Sequence, residues 1–359
     1  MVEFNNIFHG KTILVTGHTG FKGSWLCAWL IKLGANVIGY SLEPPTSINN
    51  FELLNLKDKM TDLRGDINDF SNILRIIKNY KPEIIFHLAA QAIVLDSYKT
   101  PRETIATNVL GTVNVLEAAR QANSVKVIIC ITSDKCYENK DPHAKRECDP
   151  MGGSDPYSAS KGMAEVAIAS YRTSFPSETA IASVRAGNVI GGGDFANFRL
   201  VPDCIKALMS NKPIEIRNPA SIRPWQHVLE PLSGYMSLAS QLYTDKTLAE
   251  AFNFGPEPYD AIPAKELAEK IISFWGSGSI EFAQQSLGKE ANILRLDWHK
   301  ANSKLGWRPA LTLDEALLKT ADWFKAFSSK QDMHAFTLKQ IQEYVDSAKR
   351  KGIFWANGS

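Results

Sequence analysis

The chain has no excess of charge of either sign, since 40 Lys and Arg residues stand against 38 Asp and Glu residues in 359 positions. Nucleic-acid and membrane-surface binding usually depend on a clustered basic excess, so we expect neither a nucleic-acid nor a membrane partner. No run approaches the ~18 consecutive apolar residues of a membrane-spanning helix. The N-terminus lacks the apolar segment of a signal peptide. Together these absences favour a cytoplasmic protein.

Cysteine is scarce, with five residues of which no two form a CxxC pair. Disulfide frameworks and structural zinc sites depend on an even cysteine number or on such pairs, so we expect neither of them. Free thiols in this number are typical of a reducing compartment. The five positions are Cys27, Cys130, Cys136, Cys148 and Cys204.

Short β-branched runs alternate with longer helical patterns through the first half of the chain. Continuous apolar strands separated by helices indicate βαβ units and a parallel sheet. Right-handed crossovers then predict an α/β fold with a doubly wound, Rossmann-like sheet. The predicted strands are Thr12–Thr16, Asn36–Tyr40, Asp62–Arg64, Ile84–Leu88, Lys126–Ile131 and Thr179–Arg185. The predicted helices are Ser24–Leu33, Phe70–Tyr80, Thr104–Ala122 and Tyr157–Ser174.

This alternation stops after about Val189, where three consecutive glycines follow and the segments become shorter and mixed. At about 150 residues per domain, the length favours two domains. We expect a Rossmann domain over residues 1–188 and a smaller, mixed substrate-binding region over residues 189–359. Later segments of that region, which ends in mostly helical sequence over residues 314–351, are free to rejoin the sheet.

Three glycines, Gly17, Gly20 and Gly23, lie between the first predicted strand and the first predicted helix. In such a loop the first permits a tight turn, the second lets the backbone approach a pyrophosphate, and the third lets helix pack on strand. Phosphates would then lie at the positive helix N-terminus. The context predicts a dinucleotide site, and an ordinary loop is the alternative. Three further residues join the predicted site: His18, Phe21 and Lys22.

The position that usually binds the adenosine ribose departs from the common pattern. An acidic residue normally ends the second strand of such a fold, but Ser41 stands there and Glu43 follows two residues later. No arginine directly follows this strand to hold a 2′-phosphate, so the sequence favours NAD over NADP. Because a charged hydrogen bond contributes about 1.5–3 kcal/mol, we expect NAD to be held loosely enough to exchange.

Further candidates follow the ends of later strands, because ligands of open α/β sheets bind at the carboxyl ends of the strands. Asp66 either accepts a hydrogen bond from adenine or caps a helix. The polar run from Thr132 to Lys135 follows an apolar strand and is costly to bury without partners. Other residues predicted to contact the cofactor are Ile67, Leu88, Ala89, Ala90, Gln91, Asn108, Thr132, Tyr157 and Lys161.

Tyr157 and Lys161 form a YxxxK pattern near the start of a predicted helix. Residues at i and i+4 share one helix face, so the phenol and the ammonium can meet. Since a free tyrosine has a pKa of ~10, it can act as a base at neutral pH only where its surroundings lower that pKa. The ammonium, the helix N-terminus and an oxidised nicotinamide all favour phenolate. Tyr157 is therefore predicted to remove a hydroxyl proton, and a surface helix pair is the alternative.

The combined pattern resembles the nucleotide-sugar 4,6-dehydratases of the extended short-chain dehydrogenase/reductase family. The resemblance covers nearly the whole chain and is closest to members that act on CDP-glucose in O-antigen lipopolysaccharide synthesis. It implies an NAD-dependent lyase that removes water from the sugar and regenerates NAD within one cycle. The most specific stretches are TSDKCYENK (Thr132–Lys140), RAGNVIGGGDF (Arg185–Phe195), RPWQHVLEP (Arg223–Pro231) and LGW (Leu305–Trp307).

The resemblance also implies a role for each catalytic residue. Ser133, Tyr157 and Lys161 would act in oxidation at carbon 4, and Asp134 would protonate the departing 6-hydroxyl. Many similar enzymes carry glutamate where this chain has Lys135, so the lysine is either the base at carbon 5 or an electrostatic partner. A nucleotide-sugar 4-epimerase would share the tyrosine and lysine without needing the acid.

Substrate and subunit contacts are further implications of the resemblance. The substrate candidates are Asn188, Arg199, Val201, Arg223 and Arg295, and a surface salt bridge is the alternative for each arginine. Similar proteins form a homodimer, or a dimer of dimers, through the helix at Thr104–Ala122 and the helix that carries Tyr157. Val109, Val113, Leu116 and Ala119 are consistent with that interface and equally with core burial.

Overall fold

The structure is a computed structural model that describes residues 3–141, 143–175, 179–282 and 293–358. The strands in these ranges are β1 (Thr12–Thr16), β2 (Asn36–Ser41), β3 (Thr61–Arg64), β4 (Ile84–His87), β5 (Val127–Ile131), β6 (Ala180–Ala186), β7 (Asn188–Ile190), β8 (Ile214–Ile216), β9 (Ile222–His227), β10 (Ala251–Phe254), β11 (Ala261–Pro263) and β12 (Ile280–Phe282). The α-helices are α1 (Phe21–Lys32), α2 (Asn50–Leu53), α3 (Phe70–Tyr80), α4 (Val94–Lys99), α5 (Pro101–Ile105), α6 (Gly111–Ala122), α7 (Pro156–Ser174), α8 (Leu200–Met209), α9 (Leu229–Leu242), α10 (Ala264–Trp275), α11 (His299–Leu305), α12 (Leu313–Ser328), α13 (Met333–Arg350) and α14 (Phe354–Asn357).

A parallel sheet of seven strands, in the order β10-β6-β5-β4-β1-β2-β3, forms the centre of the molecule. The chain leaves β1 in one direction toward β2 and β3, and then returns to add β4 on the other side. Ligands of such sheets bind at this reversal of strand order. The apolar strands are buried because helices cover both faces. The predicted doubly wound, Rossmann-like fold is confirmed.

Most predicted elements lie within a few residues of the observed ones, with one clear difference. The segment predicted as a single helix over Thr104–Ala122 is helical from Pro101 onward, but residues Ala106–Leu110 form a π-helical turn between α5 and α6. The prediction of a regular helix is therefore wrong at this turn. The spacing of apolar residues does not distinguish i→i+4 from i→i+5 hydrogen bonding, so it could not predict the π-helical turn.

The second half of the chain contributes to the main sheet and also forms smaller ones. Strand β10 pairs in parallel with β6 and forms one edge of the main sheet. Strands β11, β9 and β7 form a mixed sheet, and β12 pairs with β8. The larger core joins side chains from both halves, including the fully buried Trp25, Trp29, Trp307 and Trp323. The second half is thus packed against the first through one continuous core.

Two expected absences can be compared with the described part of the chain. There, no helix has the length and apolarity needed to cross a bilayer. The same residues contain no group of three or more His, Cys, Asp or Glu side chains placed to hold a metal ion. All five cysteines are reduced, and four of them are buried.

Candidate active site

The glycine loop between β1 and α1 is packed too tightly for larger residues. Gly17 has a φ of 74°, and its amide donates to the carbonyl of Tyr40 at 2.9 Å. A Cβ at Gly17 would lie 2.7 Å from the backbone nitrogen of Ala89, and one at Gly23 would lie 2.2 Å from the carbonyl oxygen of Gly17. Glycine is therefore required where the β1 loop meets the β4 loop and where α1 meets β1.

The N-terminus of α1 is open to an anion. Gly20 is the N-cap residue and supplies no side chain to cap the first turn. Backbone N–H groups in a first turn have no partner within their own helix, so they suit the oxygens of a pyrophosphate. The residues present therefore fit the diphosphate of a dinucleotide, with Phe21 and Lys22 in the first turn.

At the end of β2, the predicted ribose position is already hydrogen-bonded. The Ser41 hydroxyl lies 2.8 Å from the Thr19 hydroxyl and 3.1 Å from His18 Nδ1. His18 Nε2 lies 2.7 Å from a carboxylate oxygen of Asp62, and burial lowers the pKa of this histidine. Gly39 makes room for the ring, since a Cβ there would lie 2.4 Å from it. The His18 side chain thus turns under β2, away from the predicted cofactor path, and only its backbone faces the loop.

Asp66 and Ile67 follow β3 and differ in their surroundings. Asp66 is exposed, and its Oδ1 accepts the backbone N–H of Asn68 at 2.9 Å. The cap of α3 is instead Asp69, which accepts the N–H of Asn72. Ile67 is buried against α6, where a Cβ at Gly111 would lie 2.6 Å from its side chain. Of the two alternatives for Asp66, the helix cap is therefore wrong.

The loop after β4 is held by its backbone and by the π-helical turn. The N–H groups of Leu88 and Ala89 both donate to Thr16, at 3.1 and 3.2 Å. Asn108 in the π-helical turn exchanges two hydrogen bonds with the backbone of Gln91, at 2.8 and 3.0 Å. Its side chain also donates to Ser160 on α7 at 2.9 Å. Asn108 therefore connects the loop that contains Ala90 to the helix of Tyr157, and π-helical turns are frequent at such sites.

Tyr157 and Lys161 lie in the first turns of α7, which begins after Asp155 and Pro156. The Asp155 carboxylate caps the helix by accepting the N–H of Ser158 at 2.9 Å. Lys161 Nζ lies 6.0 Å from the centroid of the Tyr157 ring. Burial raises the pKa of Tyr157 to about 12 and lowers the pKa of Lys161 to about 8. Without a cofactor, the phenol is therefore neutral and the ammonium still charged at pH 7.

Ser133 and Asp134 lie on the loop that follows β5, named here the Ser133 loop (residues 132–137). The Ser133 hydroxyl donates to Asp134 Oδ1 at 3.0 Å and accepts the N–H of Lys135 at 3.2 Å. The same hydroxyl opposes the rise in the pKa of the Tyr157 phenol. Asp134 is buried, and burial raises the pKa of its carboxyl, although the Lys135 charge opposes this. The carboxyl therefore keeps its proton to a higher pH than a solvated aspartate does, as a proton donor requires.

Lys22 faces the same group of charges from the start of α1. The pKa of Lys22 is lowered to about 8, mainly by burial and next by the charge of Arg199. The charges of Asp134 and Asp194 act in the opposite direction. The ammonium therefore lies on the active-site side of the glycine loop. Lys135, by contrast, is partly exposed within the short 3₁₀ turn Asp134–Cys136.

The predicted substrate residues Asn188, Arg199 and Arg223 lie beyond the carboxyl edge of β6. Asn188 on β7 donates to the carbonyl of Pro224 at 3.4 Å. Arg199 precedes α8 and donates to Asp194 at 3.0 Å, and its charge lowers the pKa of Tyr157 against the effect of burial. Arg223 on β9 donates to the carbonyl of Ile222 at 2.8 Å.

Of the two remaining substrate candidates, Arg295 has a side-chain group that could bind an anion, whereas the Val201 side chain is buried in the core. Nε of Arg295 is buried and has no hydrogen-bond partner among the residues that the structure describes, as expected of a guanidinium that binds an anion. The carbonyl of Arg295 accepts the N–H of Lys145 at 2.8 Å, which fixes its segment beside the chain that follows the Ser133 loop. Val201 is 2% exposed and packs in the main core, so its side chain does not reach the cleft.

Comparison with known proteins identifies the family. The family model described as GDP-mannose 4,6 dehydratase matches residues 14–320. The chain belongs to this family. It is 46% identical to a CDP-glucose 4,6-dehydratase of Salmonella typhimurium strain LT2 over 355 residues, covering 96% of this chain and 99% of the relative.

Solved structures of other proteins have the same fold. A UDP-glucose 4-epimerase of Thermotoga maritima with UDP-glucose superimposes with a TM-score of 0.78 at 23% identity, covering 88% of this chain and 99% of the other. The enzyme MoeE5 in complex with UDP-glucose and NAD superimposes with a TM-score of 0.75 at 25% identity, with the same coverage. The predicted family resemblance is therefore confirmed.

Sequence reasoning assigned no catalytic or binding role to three residues that shape this site. Gly187 follows β6, and a Cβ there would lie 3.3 Å from Asp134 Oδ2, so glycine leaves room for the carboxyl. Glu165 and Arg185 form a buried ion pair behind the Ser133 loop. The spacing of Glu165, four residues after Lys161, places it on the catalytic face of α7 and was an available signal.

Proposed function

We propose that the protein is an NAD-dependent lyase that converts CDP-glucose to CDP-4-dehydro-6-deoxyglucose and water. The observation that carries this proposal is the buried Asp134 carboxyl, hydrogen-bonded to Ser133 at 3.0 Å beside the Tyr157–Lys161 pair. An acid at that place supplies the proton that a dehydratase needs and an epimerase does not. The 46% identity to a CDP-glucose 4,6-dehydratase supports the choice of substrate.

The cofactor would lie across the carboxyl edge of the sheet. Its diphosphate would meet the N–H groups at the start of α1, near Gly20 and Phe21, and its adenosine ribose would lie near Ser41. The exposed carboxylate of Asp66 would lie at the adenine end and accept a hydrogen bond from the amino group. NAD, when bound, accepts a hydride from carbon 4 of the sugar and returns it to carbon 6.

Tyr157 is the base for oxidation at carbon 4 in this mechanism. Its phenolate removes the 4-hydroxyl proton as the C4–H bond breaks, with the Ser133 hydroxyl close to the phenol. The ordinary proton affinity of the buried phenol is too high for this role, since burial raises its pKa to about 12. The Lys161 ammonium and the positive nicotinamide would lower it, because nearby positive charge favours phenolate.

Elimination of water then uses the Ser133 loop. The 4-ketone acidifies carbon 5, a base removes that proton, and Asp134 protonates the 6-hydroxyl as the C6–O bond breaks. Water leaves, and a double bond forms between carbons 5 and 6 until carbon 6 is reduced. Lys135 either takes the carbon 5 proton or stabilises the enolate charge, and both roles fit its place beside Asp134.

Residues 189–359 would hold the nucleotide sugar over the Rossmann half formed by residues 1–188. Guanidinium groups match paired phosphate oxygens, so Arg199, Arg223 and Arg295 would bind the diphosphate together with Asn188. Of these, Arg295 has the strongest structural support, because its buried Nε has no partner within the described ranges of the chain. Val201 would contribute only through its backbone.

A homodimer would cover exposed apolar side chains on α5, the π-helical turn and α7. Leu110, Met163 and Val166 are 57%, 40% and 63% exposed on neighbouring helices. Leu116 and Ala119, considered above for the interface, are instead buried in the core. A second copy of the chain would bury the apolar stripe in a helix bundle, and a dimer of dimers would extend it. Light scattering of wild type and Val166→Glu tests this, since the variant should become monomeric.

The proposal also places the protein in a cytoplasmic pathway. The product carries the 4-keto, 6-deoxy pattern from which dideoxyhexoses for O-antigen lipopolysaccharide are made, and nucleotide sugars are cytoplasmic metabolites.

The substrate test offers purified protein CDP-glucose, UDP-glucose, dTDP-glucose and GDP-glucose, each with NAD. We expect a 4-keto product, detected by its ultraviolet absorbance in alkali, to form fastest from CDP-glucose. A 4-epimerase would instead form the 4-epimer without loss of water and without that absorbance. Faster turnover of another donor would contradict the assignment of cytidine.

A further inference from the structure

Glu165 on α7 and Arg185 on β6 form an ion pair buried behind the Ser133 loop. Their side chains are 4% and 3% exposed. Nε and Nη2 of Arg185 donate to the two carboxylate oxygens of Glu165, both at 2.8 Å. Such bidentate contacts fix geometry as well as charge. Burial alone would raise the pKa of Glu165, but the guanidinium and the hydrogen bonds hold it below its ordinary value.

Each partner of this pair also binds one end of the Ser133 loop. Glu165 Oε1 accepts the hydroxyl of Thr132 at 2.5 Å. Arg185 donates through Nη1 to the hydroxyl of Tyr137, and its guanidinium lies 4.8 Å from the centroid of that ring. Thr132 precedes Ser133, and Tyr137 ends the 3₁₀ turn that contains Asp134 and Lys135. The three candidate catalytic groups of the loop therefore lie between two anchored residues.

The Tyr137 anchor continues into the second half of the chain. Its hydroxyl donates to Asn253 Oδ1 on β10 at 2.8 Å. The Asn253 amide donates in turn to the carbonyl of Lys145 at 2.8 Å. Lys145 hydrogen-bonds to the backbone of Arg295. One chain of contacts thus connects the Ser133 loop with the segment that carries a candidate diphosphate ligand.

We propose that Glu165 and Arg185 act as positioning residues that hold both ends of the Ser133 loop and so fix Ser133 and Asp134 relative to Tyr157. This inference rests on the proposed function, because the positions matter only for that chemistry. A contribution to the free energy of unfolding does not by itself explain the ion pair, because desolvation offsets most of the attraction between buried charges. A misplacement of about 1 Å in an active site can cost on the order of 10²-fold in rate.

The test removes one side-chain hydroxyl at each end of the Ser133 loop and leaves the Glu165–Arg185 charges paired. Thr132→Val and Tyr137→Phe keep the side-chain shape and remove one hydroxyl each. Ser183→Ala is the matched control, because the Ser183 hydroxyl donates to Glu165 at 2.8 Å but does not touch the loop. Glu165 itself is left unchanged, because its removal would leave the buried guanidinium without a counter-charge and would destabilise the folded state.

We expect Thr132→Val to lower kcat for CDP-glucose about 10- to 100-fold, as for a small misplacement of reacting groups. Its KM, its Kd for NAD and its thermal midpoint should remain near those of wild type. The Thr132 hydroxyl points to Glu165 and to the carbonyl of Val184, so its loss removes no cofactor contact. Tyr137→Phe should slow elimination more than oxidation, so reduced cofactor should accumulate in a single turnover. Ser183→Ala should keep kcat within about threefold of wild type.

Two results would overturn the proposal. In the first, Thr132→Val and Tyr137→Phe keep the same kcat as Ser183→Ala and show no accumulation of reduced cofactor. In the second, all three variants lose kcat in proportion to their loss of thermal stability, which would leave the pair with a folding role only. Wild-type turnover of CDP-glucose is measured first in the same assay. Its absence would reject the proposed function and the positioning role together, whereas unaltered variants beside an active wild type would reject the positioning role alone.

Discussion

Burial and one hydrogen bond determine what the carboxyl of Asp134 can do. Ser133 donates to Oδ1, and Oδ2 lies beside Gly187, where no side chain competes for space. Since burial raises the pKa of this group, the proton remains on the carboxyl at a higher pH than on a solvated aspartate. The proton therefore belongs on Oδ2, the oxygen that does not accept from Ser133.

Tyr157→Phe keeps the ring and removes the proton acceptor. We expect NAD to bind as in wild type while turnover of CDP-glucose falls by roughly 10²–10⁴, the usual contribution of one proton-transfer catalyst. Steady-state assays and fluorescence titration with NAD provide the two measurements. Tyr40→Phe is the control, because that phenol donates to the Asp66 carbonyl outside the reacting groups. Turnover of Tyr157→Phe within about tenfold of wild type would contradict the role of base.

Asp134→Asn should slow the loss of water more than the oxidation at carbon 4, because an amide cannot donate a proton to the leaving hydroxyl. Rapid mixing of enzyme, NAD and substrate should then show reduced cofactor before any keto product. The wild-type rate should also fall as pH rises through the elevated pKa of Asp134, since the protonated fraction is lost. The variant should lack that decline. If the oxidation at carbon 4 and the loss of water slow by the same factor, Asp134 has another role.

At the scale of elements, the edge formed by β2 and β3 determines how tightly the adenosine half is held. The end of β2 carries Ser41 in place of a carboxylate, and its hydroxyl already contacts Thr19 and His18. The nearby carboxylate of Asp62 is occupied by His18 and by Arg64. Asp62, the acidic member of these five side chains, is thus already paired, so we expect this end to contribute little binding free energy.

NAD should therefore exchange during purification. We expect protein prepared without added nucleotide to contain less than one NAD per chain and to be stimulated by added NAD. Ser41→Asp should tighten binding about tenfold or more, since a charged hydrogen bond adds about 1.5–3 kcal/mol. Ser41→Ala is the control and should change the Kd for NAD by less than about threefold. Full occupancy of the wild type without stimulation would contradict this expectation.

The comparison of prediction and structure shows where sequence patterns carry information. The limits of β1 and α3 were predicted to the residue, because an apolar run ends at Gly17 and an amphipathic pattern begins after Asp69. Strand β10 was not predicted, since four residues with one Asn do not distinguish an edge strand from a loop. Its pairing depends on the exposed edge of β6, which is a tertiary feature.

For the site, the order of motifs predicted which loops meet but not how side chains turn. Ser133 and Tyr157 lie close together because both belong to the connection between β5 and β6. His18 turns away because Gly39 opens a space under β2, and that space is formed by residues distant in sequence. Val201 lies in the core for a similar reason, since α8 packs its apolar face inward.

At the scale of the whole molecule, Glu230 connects the sheet-covering helix α9 to the C-terminal helices. Its carboxyl accepts the N–H groups of Ala310 and Leu311, at 2.9 and 2.6 Å, and the hydroxyl of Tyr344 at 2.8 Å. Tyr344 also lies 2.9 Å from the hydroxyl of Ser233. Burial raises the pKa of Glu230 to about 7. This cluster has no part in the chemistry and acts on stability.

Glu230 should make the free energy of unfolding depend on pH. Its carboxyl is protonated up to about pH 7 in the folded chain but only up to its ordinary pKa of 4.5 when unfolded. The folded state thus binds more protons between these values, and stability falls as pH rises through that window, by up to about 3 kcal/mol. Glu230→Gln mimics the protonated form, so the stability of wild type relative to this variant should decline from pH 5 to pH 8 in urea unfolding. A constant difference would exclude the linkage.

The edge position of β10 has a consequence for the order of events during synthesis. Strand β6 ends at Ala186, but its partner begins only at Ala251, so the growing chain exposes an unpaired strand edge until the later segment leaves the ribosome. The Asn253 contact that holds Tyr137 is absent for the same interval. Unpaired edges template intermolecular pairing, and long-range parallel pairing is slow to form. Nascent chains of this protein are therefore most prone to aggregate between these two points, which makes the rate of translation across them a determinant of soluble yield.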